Sequence, residues 1–187
     1  KYGFHGTSHK FVSLRAAELL GKKPEEVNIV VLHIGNGASL CAVKGGKSVD
    51  TSMGFTPLAG ILMGTRSGDI DAGIINYVAK AEGISIQEVE DKLNKESGLK
   101  GLSGLTNDMQ TIIEKASEGD ENCRLAIHVF SHRLRKYIGA YTAVMGGVDA
   151  IVFTGGIGEN SSYIRHRACQ RLDYLGALID EDKNRDF

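Results

Sequence analysis

The segment NIVVLHIGNGASLCAVKGGKSVDT, residues 28–51, decides the fold. Its opening run, Asn28–His33, is rich in β-branched residues and nearly all apolar, the pattern of a buried strand. Two shorter strand patterns follow, SLCAVK at 39–44 and KSVDT at 47–51, around Gly45–Gly46. Two glycines between strands suit a tight primed turn, because both central residues then take positive φ. The hairpin makes an antiparallel pair, so the sheet is at least partly mixed and a purely alternating βαβ sheet is disfavoured.

Outward from this segment, a second buried strand, AIVFT at 150–154, runs into GGIGENS and a helix from 161 to 171. Between the two strands lies a glycine-rich stretch, 53–69. It keeps Phe55, Leu58, Ile61, Leu62 and Met63, as an ordered loop does and a flexible linker does not. Helices are expected at 71–81 and 85–95, the second opened by a capping box of Ser85 and Glu88. A loop at 97–106 leads to Asn107 and Asp108, caps for a helix reaching 118. The longest helical pattern is 121–146. Ile127, Phe130, Leu134, Ile138, Tyr141 and Met145 mark its apolar face, and Gly146–Gly147 end it. Upstream, Phe11–Leu20 reads as a helix capped by Ser8 or Thr7 and closed by Gly21. No internal repeat or low-complexity segment is present. The fold class is α/β.

Composition narrows the function. The 187 residues are 42% apolar, enough for a core in one large domain or two small ones. Lys and Arg total 22 against 23 Asp and Glu, well mixed along the chain, which gives no footprint for nucleic acid or an anionic membrane. The same composition rules out intrinsic disorder. Three scattered cysteines, Cys41, Cys123 and Cys169, fit a reducing compartment. No apolar run approaches the ~18 residues of a membrane span. The chain opens on Lys1 and stops in the polar run DEDKNRDF with no finishing element, so it reads as a piece of something longer.

Glycine carries the functional signal: 24 Gly against 2 Pro, much of it clustered in short motifs. In HIGNGAS, 33–39, Gly35 and Gly37 let backbone amides approach an anion. In TGGIGENS, 154–161, a helix N-terminus after a strand offers amides to a phosphate or nucleotide. Either loop alone is ordinary structure; two, each after a buried strand, favour a phosphate-handling cleft. A full GxGxxG is absent because position 161 is Ser, and no GxxxxGK[ST] occurs, so dinucleotide folds and P-loops lose weight. Arg66, in MGTRSGD, suits a bidentate clamp on carboxylate or phosphate. His5 and His9 have a zinc-compatible spacing but no acidic third ligand nearby. His128, His132 and His166, with Arg133, Arg135, Arg165 and Arg167, read as a solvated face or a subunit contact.

YGFHGTSH, HIGNGAS, VDTSMGFTPL, MGTRSGDID and FTGGIGENS together resemble the acetate kinase family, in the family's order and over essentially the whole chain. The resemblance implies a ribonuclease-H-like α/β domain of the actin-like ATPase superfamily. Residues 1–187 would be its C-terminal nucleotide-binding domain, without the N-terminal domain and the extreme C-terminus. It implies ATP-dependent phosphorylation of acetate to acetyl phosphate by reversible, direct in-line transfer. His5 and Arg66 would stabilise the transferring phosphoryl group. His33, Ile34, Gly35, Asn36 and Gly37 would line the nucleotide phosphates, and Gly156, Ile157, Gly158, Glu159 and Asn160 would contact adenosine. Asp108, Met109 and Gln110 would also meet the nucleotide; Gln110 replaces the arginine expected there, and Ala59 stands where the family has an acid. Magnesium ligands would lie in the absent segments, and no metal ligand is assigned here. A cytoplasmic homodimer is implied. A propionate or other short-chain acyl kinase, a nucleotide-binding module inactive without its other half, and a phosphohistidine relay through His5 remain alternatives.

Overall fold

The computed structural model describes residues 2–186. Helix α1 (Gly6–Leu19) leads through a 3-10 turn at Pro24–Glu26 into β1 (Asn28–Ile34), β2 (Ala38–Lys44) and β3 (Lys47–Thr51). The order β3-β2-β1-β4 makes a four-stranded mixed sheet, with β4 spanning Ala150–Thr154. As the sequence predicts, β2 and β3 form an antiparallel hairpin, turned by Gly45 and Gly46 at φ 56° and 75°; β1 also pairs antiparallel with β2. β4 lies parallel to β1, with Ile29 opposite Ala150 and His33 opposite Thr154.

Both faces of the sheet are covered, which is why β1 reads as one apolar run. Val30, Leu32 and Ile34 face a core built on α6 (Glu121–Met145), where Phe130, Leu134 and Ile138 are buried. Ile29 and Val31 face Val12, Ala16 and Ala17 of α1. All six residues predicted for the apolar face of α6 are buried, and Gly146 caps its end at φ 79°. Helices α2 (Gly73–Glu82) and α3 (Ile86–Lys95) follow the long loop, and the Ser85–Glu88 capping box is formed. α5 (Met109–Ser117) is capped by Asp108. Among the described residues no helix is long and apolar enough to cross a membrane.

Five local expectations need correction. α1 starts five residues before Phe11, at Gly6, and has no side-chain cap; Ser8 Oγ bonds His33 Nδ1 at 2.9 Å instead. Tertiary contact there outweighs local capping. The segment expected as a loop at 97–106 contains α4 (Gly98–Ser103), held because Leu99 and Lys100 donate backbone bonds to the carbonyls of Met63 and Gly64 at 2.9 Å. The glycine loop after β4 is a short helix, α7 (Gly155–Asn160), followed by α8 (Ser162–Cys169). The polar end forms α9 (Glu181–Arg185), capped by Asp180. Arg165 binds this helix through the Asn184 carbonyl at 2.6 Å. Arg133 and Arg135 likewise donate to backbone carbonyls, of Asp69 and Arg167, so these arginines are partly buried struts and not a solvated face.

Gly98 sits at φ +63°, and a Cβ there would lie 2.3 Å from the Met63 carbonyl oxygen and 2.8 Å from that of Arg66. Gly98→Ala is therefore expected to destabilise the chain by more than about 2 kcal/mol, measured by urea unfolding. Gly119→Ala, at positive φ but with nothing within 4 Å, should cost clearly less.

Candidate functional site

The site begins at the N-cap of α1. His5 adopts φ 59°, ψ 18°, a left-handed conformation that side chains seldom take. Its ring stacks on His33 with centroids 4.1 Å apart, and its Nδ1 lies 2.8 Å from Ser39 Oγ. His9, one helical turn on and buried, places Nε2 2.9 Å from the same Ser39 oxygen. Burial lowers the pKa of all three histidines. For His5 the neighbouring His33 and Arg66 add to this, and for His9 the neighbouring His5 and His33, so that a proton on one ring disfavours a proton on the next; His9 falls to about 4. For His33 the Glu159 carboxylate opposes it. All three are neutral at neutral pH.

Arg66 comes from the loop between β3 and α2, whose path is fixed by its own backbone. Met63 N–H bonds the Arg66 carbonyl at 3.1 Å, and Gly64 N–H bonds Asn36 O, tying the loop to the turn after β1. Asp69 anchors the far end: its carboxylate accepts from Gly60 N–H and from Tyr137 Oη on α6. The Arg66 guanidinium donates to the Pro57 carbonyl at 3.3 Å and has no carboxylate partner among the described residues. A Cβ on Gly37 would lie 3.3 Å from Arg66 Nη1 and 3.8 Å from His5 Nε2. Arg66 Nη1 and His5 Nε2 thus converge on the same side of Gly37.

Beyond Gly37 opens a cleft of about 650 Å³. Gly35 and Asn36 line it from the turn after β1, Asp108, Met109 and Gln110 from the cap and first turn of α5, and Gly156, Ile157 and Asn160 from α7. The sequence thus names residues from all three walls. Ile34 is fully buried in the core, so only its backbone is available there. Gly158 is buried, and a Cβ on it would meet Phe153 and Ile34 at 3.5–3.8 Å, so it faces the sheet and not the cleft. Glu159 accepts a hydrogen bond from Thr154 Oγ1 at 3.0 Å and also does not line the cleft. The helical winding of α7 turns these two residues away.

Sequence reasoning missed Ile113 and Glu114, although three- and four-residue spacing from Gln110 puts them on one helix face. It also missed Ser161, Ser162 and Tyr163, and it read Asn107 only as a cap. Asn107 Nδ2 donates to Asn36 Oδ1 at 2.8 Å, bridging two walls. Asp108 is occupied as a cap, accepting from Thr111 N and Oγ1, and these bonds lower its pKa. Gln110 Nε2 donates to Glu114 at 3.2 Å.

No group of three His, Cys, Asp or Glu among the described residues could hold a metal ion. Neutral imidazoles and one guanidinium are donors for an anion, not hard oxygen ligands for magnesium.

Two outcomes follow from this geometry. His9 binds a proton more readily unfolded than folded, so stability is complete above its ordinary pKa of 6.5 and falls as pH drops toward 4. At pH 5 the loss from His9 is about 2 kcal/mol, and His9→Gln should flatten the melting temperature between pH 7 and 5. Separately, Gln110→Arg would meet Glu114 four residues on. With ATP as the probe in calorimetry at low salt, it should raise the affinity of the cleft only slightly alone and more in combination with Glu114→Gln.

The model of the Acetokinase family matches residues 1–187. The acetate kinase of Thermotoga maritima is 59% identical over 98% of the chain, and that of Symbiobacterium thermophilum 58% over 98%. The chain spans about half the length of these relatives, 46% of each. The crystal structure of Porphyromonas gingivalis acetate kinase matches with a TM-score of 0.96 at 45% identity, covering 98% of this chain and 46% of that one. A propionate kinase from Francisella tularensis matches with a TM-score of 0.93 at 49% identity, covering 100% and 48%. The sheet with its flanking helices is accordingly the actin-like ATPase fold that the acetate kinases share. On sequence and structure together, the chain belongs to the acetokinase family.

Proposed function

We propose that residues 1–187 form the C-terminal, nucleotide-binding half of an ATP:acetate phosphotransferase that makes acetyl phosphate reversibly by direct in-line transfer. The observation that carries this reading is the meeting of Arg66 and His5 Nε2 over Gly37, beside a nucleotide-sized cleft. Transfer between two anions is limited by charge repulsion and alignment, so donors fixed around the moving phosphoryl group supply most of the catalysis. Arg66 offers a planar cationic fork with no carboxylate to neutralise it among the described residues. His5, neutral, donates a hydrogen bond to an equatorial oxygen. His33, Gly35, Asn36 and Gly37 attend the nucleotide phosphates. Asp108, Met109, Gln110, Gly156, Ile157 and Asn160 form the walls around the nucleoside.

Magnesium does not fit the donors present, so its ligands are assigned to segments outside this chain and no step is derived through it. The family membership supports acetate as acceptor, and a cytoplasmic homodimer is part of the same proposal. The Francisella tularensis neighbour, a propionate kinase, favours a second reading as a short-chain acyl kinase with a wider acid range. Profiling acetate against propionate in the full-length protein separates the two.

In the full-length protein, Arg66→Ala and His5→Ala should each lower kcat by roughly 10²–10³ and change KM much less. Arg66→Lys should recover only part of the loss, because a point charge lacks the fork. His5→Gln should retain measurable activity, and the unmodified enzyme should form no acid-labile phosphoenzyme. Labelled phosphate trapped on His5 at a rate competent for turnover would overturn in-line transfer in favour of a histidine relay.

A further inference from the structure

Ser39, on β2, is fully buried, and its Oγ has two hydrogen-bond partners among the described residues: His5 Nδ1 at 2.8 Å and His9 Nε2 at 2.9 Å. A serine hydroxyl has a single proton to donate and lone pairs to accept with. The other nitrogen of His9, Nδ1, is buried without any partner. Were the His9 proton on Nδ1, a buried N–H would go unsatisfied at a cost of about 1–3 kcal/mol. With the proton on Nε2, His9 donates to Ser39 and leaves only a lone pair unpaired, which is better tolerated.

We propose that Ser39 is a positioning residue which, with His9, fixes the tautomer of His5 so that its Nε2–H faces the reacting phosphate. The chain of donors runs one way, His9 Nε2–H to Ser39 Oγ and Ser39 Oγ–H to His5 Nδ1. Were His5 to donate from Nδ1 as well, Ser39 would accept two N–H groups and its own proton would have no acceptor. His5 Nδ1 is therefore the acceptor, and the neutral ring carries its proton on Nε2, the atom that converges with Arg66 over Gly37. Stacking on His33 holds the plane of the ring. The site thus has a neutral donor aimed in advance, beside one fixed cation. The catalytic consequence rests on the phosphotransferase reading; the tautomer assignment does not.

The test uses the full-length protein labelled with 15N-histidine, with His5 and His9 resonances identified by their loss in His5→Gln and His9→Gln. Long-range 1H–15N spectra near neutral pH should show both histidines as the Nε2–H tautomer. Ser39→Ala should change the His5 pattern to a mixture of tautomers. It should lower kcat between about tenfold and hundredfold, the loss seen when a metal-bound histidine loses the partner that orients its ring, with KM for ATP changed less than about twofold. Ser39→Thr, which keeps the hydroxyl, should restore the His5 pattern. Should Ser39→Ala not fold, His9 gives the same answer: His9→Gln keeps an N–H toward Ser39 and preserves the His5 tautomer, whereas His9→Met loses it. A proton on Nδ1 of His5, or a His5 spectrum indifferent to Ser39→Ala and to His9→Met, would overturn the proposal. Correct tautomers in a protein that makes no acyl phosphate would sink the phosphotransferase reading and leave this assignment standing.

Discussion

The hydrogen bonds that pair β4 with β1 in parallel put Thr154 beside His33, so the chain leaves both strands at the same end of the sheet. Ligand clefts in open α/β sheets form outside the carboxyl ends of strands, because there two connections diverge and leave backbone exposed between them. Here one connection is the turn at Gly35–Gly37 and the other is α7. Gly155 takes φ +80° at the junction, and a Cβ on it would lie 2.7 Å from the Ile34 carbonyl oxygen. The two walls are therefore in contact at their base and open outward, with α5 closing the third side.

Electrostatically the site is simple. Burial keeps the three histidines neutral, so the fixed positive charge at the inner end rests on Arg66. The nearest carboxylate in its own motif, Asp69, is held by Gly60 and Tyr137 and so belongs to the scaffold. One sequence motif thus contains a cation with no carboxylate partner among the described residues and an anion held by the scaffold, separated by what each touches.

Elements with a strong local signal were legible from sequence. The hairpin at Gly45–Gly46, the Ser85 capping box and the apolar stripe of α6 each depend on residues close in the chain. The errors fall where distant contacts decide. α1 begins at Gly6 because Ser8, His5 and His9 find partners on β1 and β2, and no local pattern announces that. α4 is helical because its N–H groups meet the Arg66 loop. The sequence points to two glycine segments plus Arg66 and His5, and the structure brings the two segments to one cleft, with Arg66 and His5 beside Gly37. The motif could not distinguish Gly156, which lines the cleft, from Gly158, which faces the sheet, since the difference is the winding of α7.

The parallel pair also has a consequence for how the molecule is made. The β1–β2–β3 ribbon closes through neighbouring residues, whereas Ile29 must wait for Ala150, across most of the chain. Contacts of such long sequence separation form slowly, since a large loop has to be closed before they stabilise anything. Until β4 arrives, β1 presents an unpaired edge whose side chains include Val30, Val31 and Leu32. An apolar open edge is a template for pairing with another chain. On the ribosome this exposure lasts for the synthesis of every element from α2 to α6. The nascent chain is therefore most prone to misassociation in that interval, and a chaperone that shields the edge of β1 would act there.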